Sequence, residues 1–352
     1  MSYSFFNDVE YAGPTPKDVL SFWDRQPRQL RPNPRIKIPN LTFPNSNINC
    51  IPERANKEDA MNISTFWNSF YSGQNWNFKC NFKDVERWMD QGFILLLKQK
   101  INSKLEIVAT FLCRIIKGGV TCGKYIPQAA ILDGFVVHPR LRKTGIASMM
   151  FAAIDKEVYN TPSLKESILV CFREIPTAIH SIHQAPIAVL KYSYIFLTDI
   201  PKHNTYATAA SEDLVNNIVN LVLLNSEKEF TISCKNYSDP DIYWFLVNSS
   251  LIGIAYTHRH TNEGLPIWEV IFGANLSPPF FSNLQIPIEI CAKNLPSEKG
   301  VLFASNSKSR GNLITPSSPW VSGTSGYLSV HVYNWMPPTF ITGDLFFPQI
   351  CV

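Results

Sequence analysis

A chain of 352 residues has room for one large domain or two ordinary ones. Hydrophobic residues at 45% against charged residues at 17% allow a sizeable core and exclude overall disorder. A net charge of +4 is too weak, over this length, for a dedicated nucleic-acid binder.

Residues 1–60 are rich in Pro, Asn and Arg and show little periodicity, the pattern of an extended arm laid over a domain surface. Phe22 and Trp23 are its candidate anchor. Arg25, Arg28, Arg31 and Arg35 form a basic track that suits a solvated loop as well as an anionic contact. Residues 62–71 carry a short helical pattern. Two strand-like runs follow at 93–97 and 105–116, joined by the turn-rich stretch 100–104, and a third at 129–138. Apolar residues at Ile146, Met149, Met150, Ala153, Ile154 and Val158 then recur at helical spacing, which predicts a helix over 146–159, and 168–172 reads as a fourth strand.

The second half repeats this order. A helical pattern covers 211–225, and 243–247 with 251–256 make a hairpin around Asn248-Ser249-Ser250. Residues 267–273 resemble the third strand, 286–292 a short helix, and 301–304 and 328–334 further strands. The echo predicts two similar α+β domains divided near residue 200, after the N-terminal arm: 61–200 and 201–352. The eight cysteines form no C-x-x-C pair or other metal-ligand spacing, so they read as reduced buried thiols with no metal. Neither a signal peptide nor an apolar run of membrane-spanning length is visible. A cytoplasmic protein without integral membrane segment or nucleic-acid partner is the expectation.

The most informative stretch runs from Asp133 through Gly134-Phe135-Val136-Val137-His138-Pro139-Arg140-Leu141 to Arg142-Lys143-Thr144-Gly145-Ile146-Ala147. It reads as a buried strand, a short basic turn and a helix start. A helix opening there presents free backbone N–H groups and positive charge at one point, a combination that suits a pyrophosphate. Gly145 lets the backbone approach the anion, and Ala147 keeps the next turn slim. An ordinary strand–helix turn can carry the same residues. The equivalent place in the second half, Ala274-Asn275-Leu276-Ser277-Pro278-Pro279, has no basic glycine turn, so only the first half is expected to hold an anion in this way.

Arg142-x-x-Gly145-x-Ala147 between strand and helix resembles the CoA pyrophosphate loop of the GNAT N-acyltransferases. Almost the whole chain is similar to the eukaryotic-type glycylpeptide N-tetradecanoyltransferases (N-myristoyltransferases). Phe22-Trp23-Asp24-Arg25-Gln26-Pro27 resembles that family's Phe-Trp-x-x-Gln-Pro segment, and the stretch from Phe135 to Arg142 its Phe-Leu-Cys-Val-His-Lys-Lys-Leu-Arg signature. Ile182-His183-Gln184 is similar to its Trp-His-Arg segment, and Tyr333-Asn334-Trp335 closes a C-terminal strand ahead of a short apolar tail.

The resemblance implies an α+β fold, a tandem of two GNAT-like domains with mixed, mainly antiparallel sheets flanked by helices. It implies a monomer that takes myristoyl-CoA as acyl-donor substrate, keeps no permanently bound cofactor, and acylates N-terminal glycine peptides or nascent proteins. The amides of Gly134 and Phe135 would form the oxyanion hole and the C-terminal carboxylate of Val352 would be the base. Arg142, Lys143, Thr144, Gly145, Ile146 and Ala147 would hold the CoA phosphates, with Phe22 and Trp23 over the cofactor arm. Asp133, His183, Tyr71 and Phe78 would lie on the peptide side. His138 reads as a structural histidine.

The chain departs from the family on that peptide side. The family's acidic loop becomes Tyr71-Ser72-Gly73-Gln74-Asn75-Trp76-Asn77-Phe78-Lys79-Cys80, with no carboxylate, which should weaken a preference for Lys or Arg in the peptide. The family's Asn ahead of the oxyanion pair becomes Asp133, a residue able to bind the amine or, if ionised, to weaken the oxyanion hole. These departures keep two other readings open: a catalytically silent acyl-CoA-binding or interaction protein of the same fold, and another GNAT N-acyltransferase.

Overall fold

The computed structural model describes residues 28–29, 51–73, 75–101, 104–121, 125–162, 164, 167–174, 185–225, 231–233, 239–279, 283–306, 314, 318–332, 335–336 and 344–346. Its first half contains β1 (Arg28–Gln29), β2 (Glu53–Arg54), α1 (Ala60–Phe70), β3 (Trp76–Phe78), α2 (Phe82–Asp90), β4 (Gly92–Ile101), β5 (Lys104–Thr121), β6 (Tyr125–Val137), α3 (Ile146–Asn160), β7 (Ile168–Glu174) and β8 (Ala185–Phe196). The second contains β9 (Thr208–Ala209), α4 (Glu212–Asn225), β10 (Thr231–Ser233), β11 (Ile242–Val247), β12 (Ser250–Thr261), β13 (Pro266–Asn275), α5 (Gln285–Ala292), β14 (Val301–Asn306), β15 (Val321–Val332), β16 (Trp335–Met336) and β17 (Asp344–Phe346).

Local chemistry explains where several elements begin. Asn56 and Asp59 form a reciprocal capping box, so a tight 3-10 turn feeds α1 at Ala60, two residues earlier than periodicity predicts. Asn81 and Asp84 cap α2 in the same manner, with the Asn81 side chain accepting from the Lys83 and Asp84 amides. The expected hairpin turns on Asn248 and Ser249, both at positive φ (47° and 61°), the turn whose twist matches paired strands.

The repeat is visible in the pairing. In the first half β4, β5 and β6 are an antiparallel meander, α3 crosses over, and β7 lies parallel to β6. In the second half β11, β12 and β13 are a meander, α5 crosses over, and β14 lies parallel to β13. The next strand of each half then joins the other half: β8 pairs with β14, β15 pairs with β7, and the two pair with each other. This exchange fuses both halves into one sheet, and it makes β8, which periodicity did not reveal, a central strand.

Each meander is covered on both faces. Phe93, Leu95 and Leu97 of β4 pack with α3, while Ile94 and Leu96 pack with α1 and α2 around Trp67 and Trp88. In the second half Trp268 and Val270 pack with α5, whereas Leu251, Ala255 and Ile271 lie under α4. The seam between halves carries a half-buried ionic junction. His258 of β12 lies within hydrogen-bond distance of Asp241 Oδ2 (3.0 Å) and the Lys79 carbonyl (3.1 Å), and Arg87 of α2 pairs with the same Asp241 oxygen.

Burial pushes the Asp241 carboxyl up, but the hydrogen bond and charge of His258, with Arg87, outweigh it and hold the group below the ordinary 3.8. Asp241→Ala removes the carboxylate shared by Arg87 and His258, leaves Arg87 with Asp84 (3.5 Å) and Asp239 (3.9 Å), and should destabilise the protein by about 1–3 kcal/mol in urea unfolding at pH 7. A folded-state value below the unfolded one means the contribution of Asp241 is complete above pH 3.8 and is lost as pH falls through the folded value. Asp241→Asn should therefore flatten the acid limb of stability measured between pH 7 and pH 3.

Candidate functional site

The site is built where β6 leaves β7. The two strands pair from Ala129↔Ile168 to Leu132↔Cys171; beyond that point the described partner of β6 is β5, and that of β7 is β15. The sheet splits at the carboxyl end of two parallel strands. Directly after the split, β6 carries a bulge. Leu112 opposes Asp133 and Thr110 opposes Val136, so Gly134 and Phe135 together face Phe111.

The bulge reverses which side chains face which core. Ala130 and Leu132 point to the α3 side, as do Phe135 and Val137, while Val136 points to the α1/α2 side. Gly134 supplies the left-handed backbone at φ 57°, and a Cβ there would stand 2.9 Å from Trp67 Cζ2 and 3.2 Å from Leu112 Cβ. A buried chain of donors holds it: the Trp67 indole N–H donates to Thr110 Oγ1 (2.7 Å), whose hydroxyl donates to the Gly134 carbonyl (2.9 Å).

Phe135 locks the bulge to α3 through rings: Phe111 and Phe151 lie 4.9 and 5.3 Å away, and 4.9 Å from each other. α3 starts on Gly145 at φ 89° with no side-chain cap, and Lys143 is also at positive φ, 65°. Thr144 gives its hydroxyl to the Leu141 carbonyl (2.6 Å) instead of capping the helix. Arg142, Lys143, Thr144 and Gly145 are exposed, Ala147 is half-buried, and Ile146 is buried in the core. An uncapped helix start on a curled, basic backbone has the free amides and positive charge that suit an anion.

His138 sits behind that seat. Its Nδ1 accepts from the Arg140 amide (3.3 Å), and its ring meets Phe70 at 4.6 Å. Burial and the Arg140 charge lower its pKa, while Glu106 pulls the other way. The ring is half-buried and packed against Phe70.

Asp133 stands at the mouth of the split. Its Oδ1 accepts from the Gly134 amide (2.7 Å) and the Tyr71 hydroxyl (2.9 Å). Its Oδ2 is closed off from solvent and has no hydrogen-bond partner among the described residues. Burial pushes this carboxyl up, against the Arg259 guanidinium, the Gly134 and Tyr71 hydrogen bonds and the Arg114 charge, which pull it down. Trp76 packs at 5.4 Å from Tyr71, and the Arg259 guanidinium lies 4.6 Å over the Trp76 ring. The segment that lacks carboxylates is thus met by a cation from the second half.

Of the residues expected at the site, the structure gathers Asp133, Gly134, Phe135 and Tyr71 around the bulge and places Arg142 to Ala147 at the helix start that follows. Phe78 is 1% exposed, stacked among Tyr71, Trp67, Trp88 and His258, and forms the wall behind Tyr71. Phe22, Trp23, His183 and Val352 lie outside the described residues. Sequence reasoning missed Trp67, Thr110 and Arg259, whose parts depend on contacts made by distant segments. Among the described residues no group of three His, Cys, Asp or Glu could hold a metal ion, and no helix is long and apolar enough to cross a membrane.

Two meanders, each with a crossover helix and a split parallel pair, define the doubled GNAT-type acyltransferase fold. Solved structures of Saccharomyces cerevisiae N-myristoyltransferase share it. One, with bound myristoyl-CoA and inhibitors, covers 91% of this chain and 87% of its own at 13% identity and a TM-score of 0.62. Another, with bound myristoyl-CoA, covers 87% of both chains at 13% identity and a TM-score of 0.61. No protein-family model matches the sequence, and no curated protein sequence does.

Gly134→Ala forces a side chain into left-handed backbone against Trp67 and should lower stability by about 1–3 kcal/mol. Denaturant unfolding measures the loss, and the change in indole environment at Trp67 should appear in near-ultraviolet circular dichroism.

Proposed function

We propose that this protein is a divergent N-myristoyltransferase, moving a myristoyl group from myristoyl-CoA to the N-terminal glycine amine of protein substrates. The observation that carries this reading is the uncapped, basic start of α3 standing one turn of chain beyond the Gly134–Phe135 bulge at a split sheet. Phosphates on Arg142 to Ala147 would leave the pantetheine arm to run into the split, with its thioester at the bulge.

The acyl carbon of a thioester is electrophilic, and its oxygen needs donors as negative charge develops. Backbone N–H groups of Phe135 and Gly134 suit that need, though the Gly134 amide is held by Asp133 Oδ1 until something draws the carboxylate away. The glycine amine is mostly protonated at neutral pH and must lose a proton before attack. The C-terminal carboxylate of Val352 fills that role in this reading, as the family resemblance implies. The nitrogen then bonds to the acyl carbon, the carbon–sulfur bond breaks, and CoA leaves as its thiol.

Tyr71, Asp133 and His183 belong to the peptide side, with Phe78 as backing. Arg259 over Trp76 replaces acidic character with positive charge there, which supports substrates that lack Lys or Arg after the glycine. Phe22 and Trp23 would cover the cofactor arm. The protein works as a cytoplasmic monomer that binds acyl-CoA as substrate.

Acyl transfer is tested with myristoyl-CoA and a panel of N-terminal glycine peptides read by intact mass. A mass gain of one myristoyl group on neutral-sequence peptides is the expected result. Turnover of acetyl-CoA without turnover of myristoyl-CoA would remove the long-chain assignment, and CoA binding with no transfer to any peptide would leave a silent acyl-CoA-binding protein. Arg142→Glu combined with Lys143→Glu should weaken CoA binding by about 10–100-fold, since each reversal replaces a charge-assisted phosphate contact with repulsion. Calorimetric titration checks this. Deleting residues 350–352 should abolish transfer while CoA binding survives; retained transfer would remove Val352 from the chemistry.

A further inference from the structure

Asp133 is a carboxylate whose two oxygens have different tasks. Oδ1 is occupied by two donors, the Gly134 amide and the Tyr71 hydroxyl. Oδ2 is enclosed and unpartnered among the described residues. A buried carboxylate oxygen without a donor is costly, so a position that keeps one invites a donor from a ligand. The residue sits at the point where β6 parts from β7, beside the bulge, so the ligand that reaches Oδ2 is one that enters the split.

The groups around it limit what that ligand is. Arg259 from β12 and Arg114 from β5 are the nearby cations, and Tyr71 from the loop after α1 is the neutral donor. Neither guanidinium bonds to Oδ2. A primary amine is a compact donor of the opposite charge to the carboxylate, and it is the group the acyl-transfer reading brings to the split.

Resting on the acyl-transfer reading above, we propose that Asp133 is a catalytic residue that accepts on Oδ2 the proton leaving the amine nitrogen as the carbon–nitrogen bond forms. The ammonium has by then lost its first proton to another base. Attack on the thioester places positive charge on nitrogen and negative charge on the acyl oxygen. Asp133 takes the second nitrogen proton and becomes a neutral acid. Losing its charge weakens its hold on the Gly134 N–H, which is released toward the acyl oxygen as that oxygen becomes anionic. Collapse of the intermediate breaks the carbon–sulfur bond, and the proton on Oδ2 passes to the thiolate, restoring the carboxylate and giving CoA thiol. One carboxylate thereby couples proton removal at nitrogen to donor release at oxygen. The burial that raises its pKa suits a group that must hold this proton and then give it up.

The test is Asp133→Asn, which keeps an oxygen for the Gly134 and Tyr71 donors but cannot take the proton. Affinity for a non-hydrolysable thioether analogue of myristoyl-CoA should stay within threefold of wild type, which also reports an intact fold. The single-turnover rate of acyl transfer should fall by about 10²–10⁴-fold, and the solvent deuterium isotope effect on that rate should disappear. In the same titrations, wild type loaded with the analogue should bind a free-amine glycine peptide at least tenfold more tightly than its N-acetylated form, with the difference lost in the variant. A variant rate within threefold of wild type with the isotope effect intact would overturn the role of Asp133 and leave the acyl-transfer reading standing. Equal wild-type affinity for the free and acetylated peptides would overturn it as well. A wild-type chain that transfers no acyl group from any acyl-CoA would overturn both.

Discussion

A single buried chain of hydrogen bonds, from the Trp67 indole through Thr110 to the Gly134 carbonyl, fixes the geometry on which the candidate site depends. Thr110 and Trp67 are both fully enclosed, so neither donor has water as an alternative partner. They hold the bulge in β6 at the place where the sheet parts. The bulge turns Phe135 toward Phe111 and Phe151, and those rings set α3 and its uncapped start relative to the strand. The start of α3 and the bulge are therefore packed together through one set of rings.

The repeated architecture uses the same device twice with opposite results. β13 also carries an extra residue, at Ile271 between the pairs Ile254↔Val270 and Gly253↔Phe272, and it too outruns its parallel partner. In that half Ile271, Phe272 and Ala274 are buried beneath α4, with no basic turn after them. Apolar residues follow the second bulge, whereas Asp133 and Gly134 put polar groups at the first. The second half acts through contacts across the seam: β3 of the first half is an added strand on β12, and Arg259 from that strand stands over Trp76 near Asp133. The Arg87–Asp241 ion pair, with His258 at hydrogen-bond distance from the same carboxylate, fixes this seam.

Much of this was legible residue by residue. The period of Ile146, Met149, Met150, Ala153, Ile154 and Val158 predicted α3 within one residue of its end, because each of those side chains meets the sheet. Strand-like apolar runs located β4, β5 and β6, and the hairpin residues located β11 and β12. Strand β8 escaped notice because its place follows from the exchange of strands between halves, which no local period encodes. α2 escaped because its apolar stripe is short and its start rests on a capping box. Asp133 stood out as a departure in type, yet the second donor on its Oδ1 comes from Tyr71, 62 residues away.

By itself the sequence determined the doubled α+β order, the basic helix start at Arg142 to Gly145 and its absence from the second half, since these are matters of residue type and spacing along one stretch of chain. Only the tertiary structure decided that the halves exchange strands, that Phe78 is a wall, and that Oδ2 of Asp133 is left without a donor among the described residues. Those outcomes are sums of long-range contacts, and the charge state and reach of a buried group follow from everything packed around it.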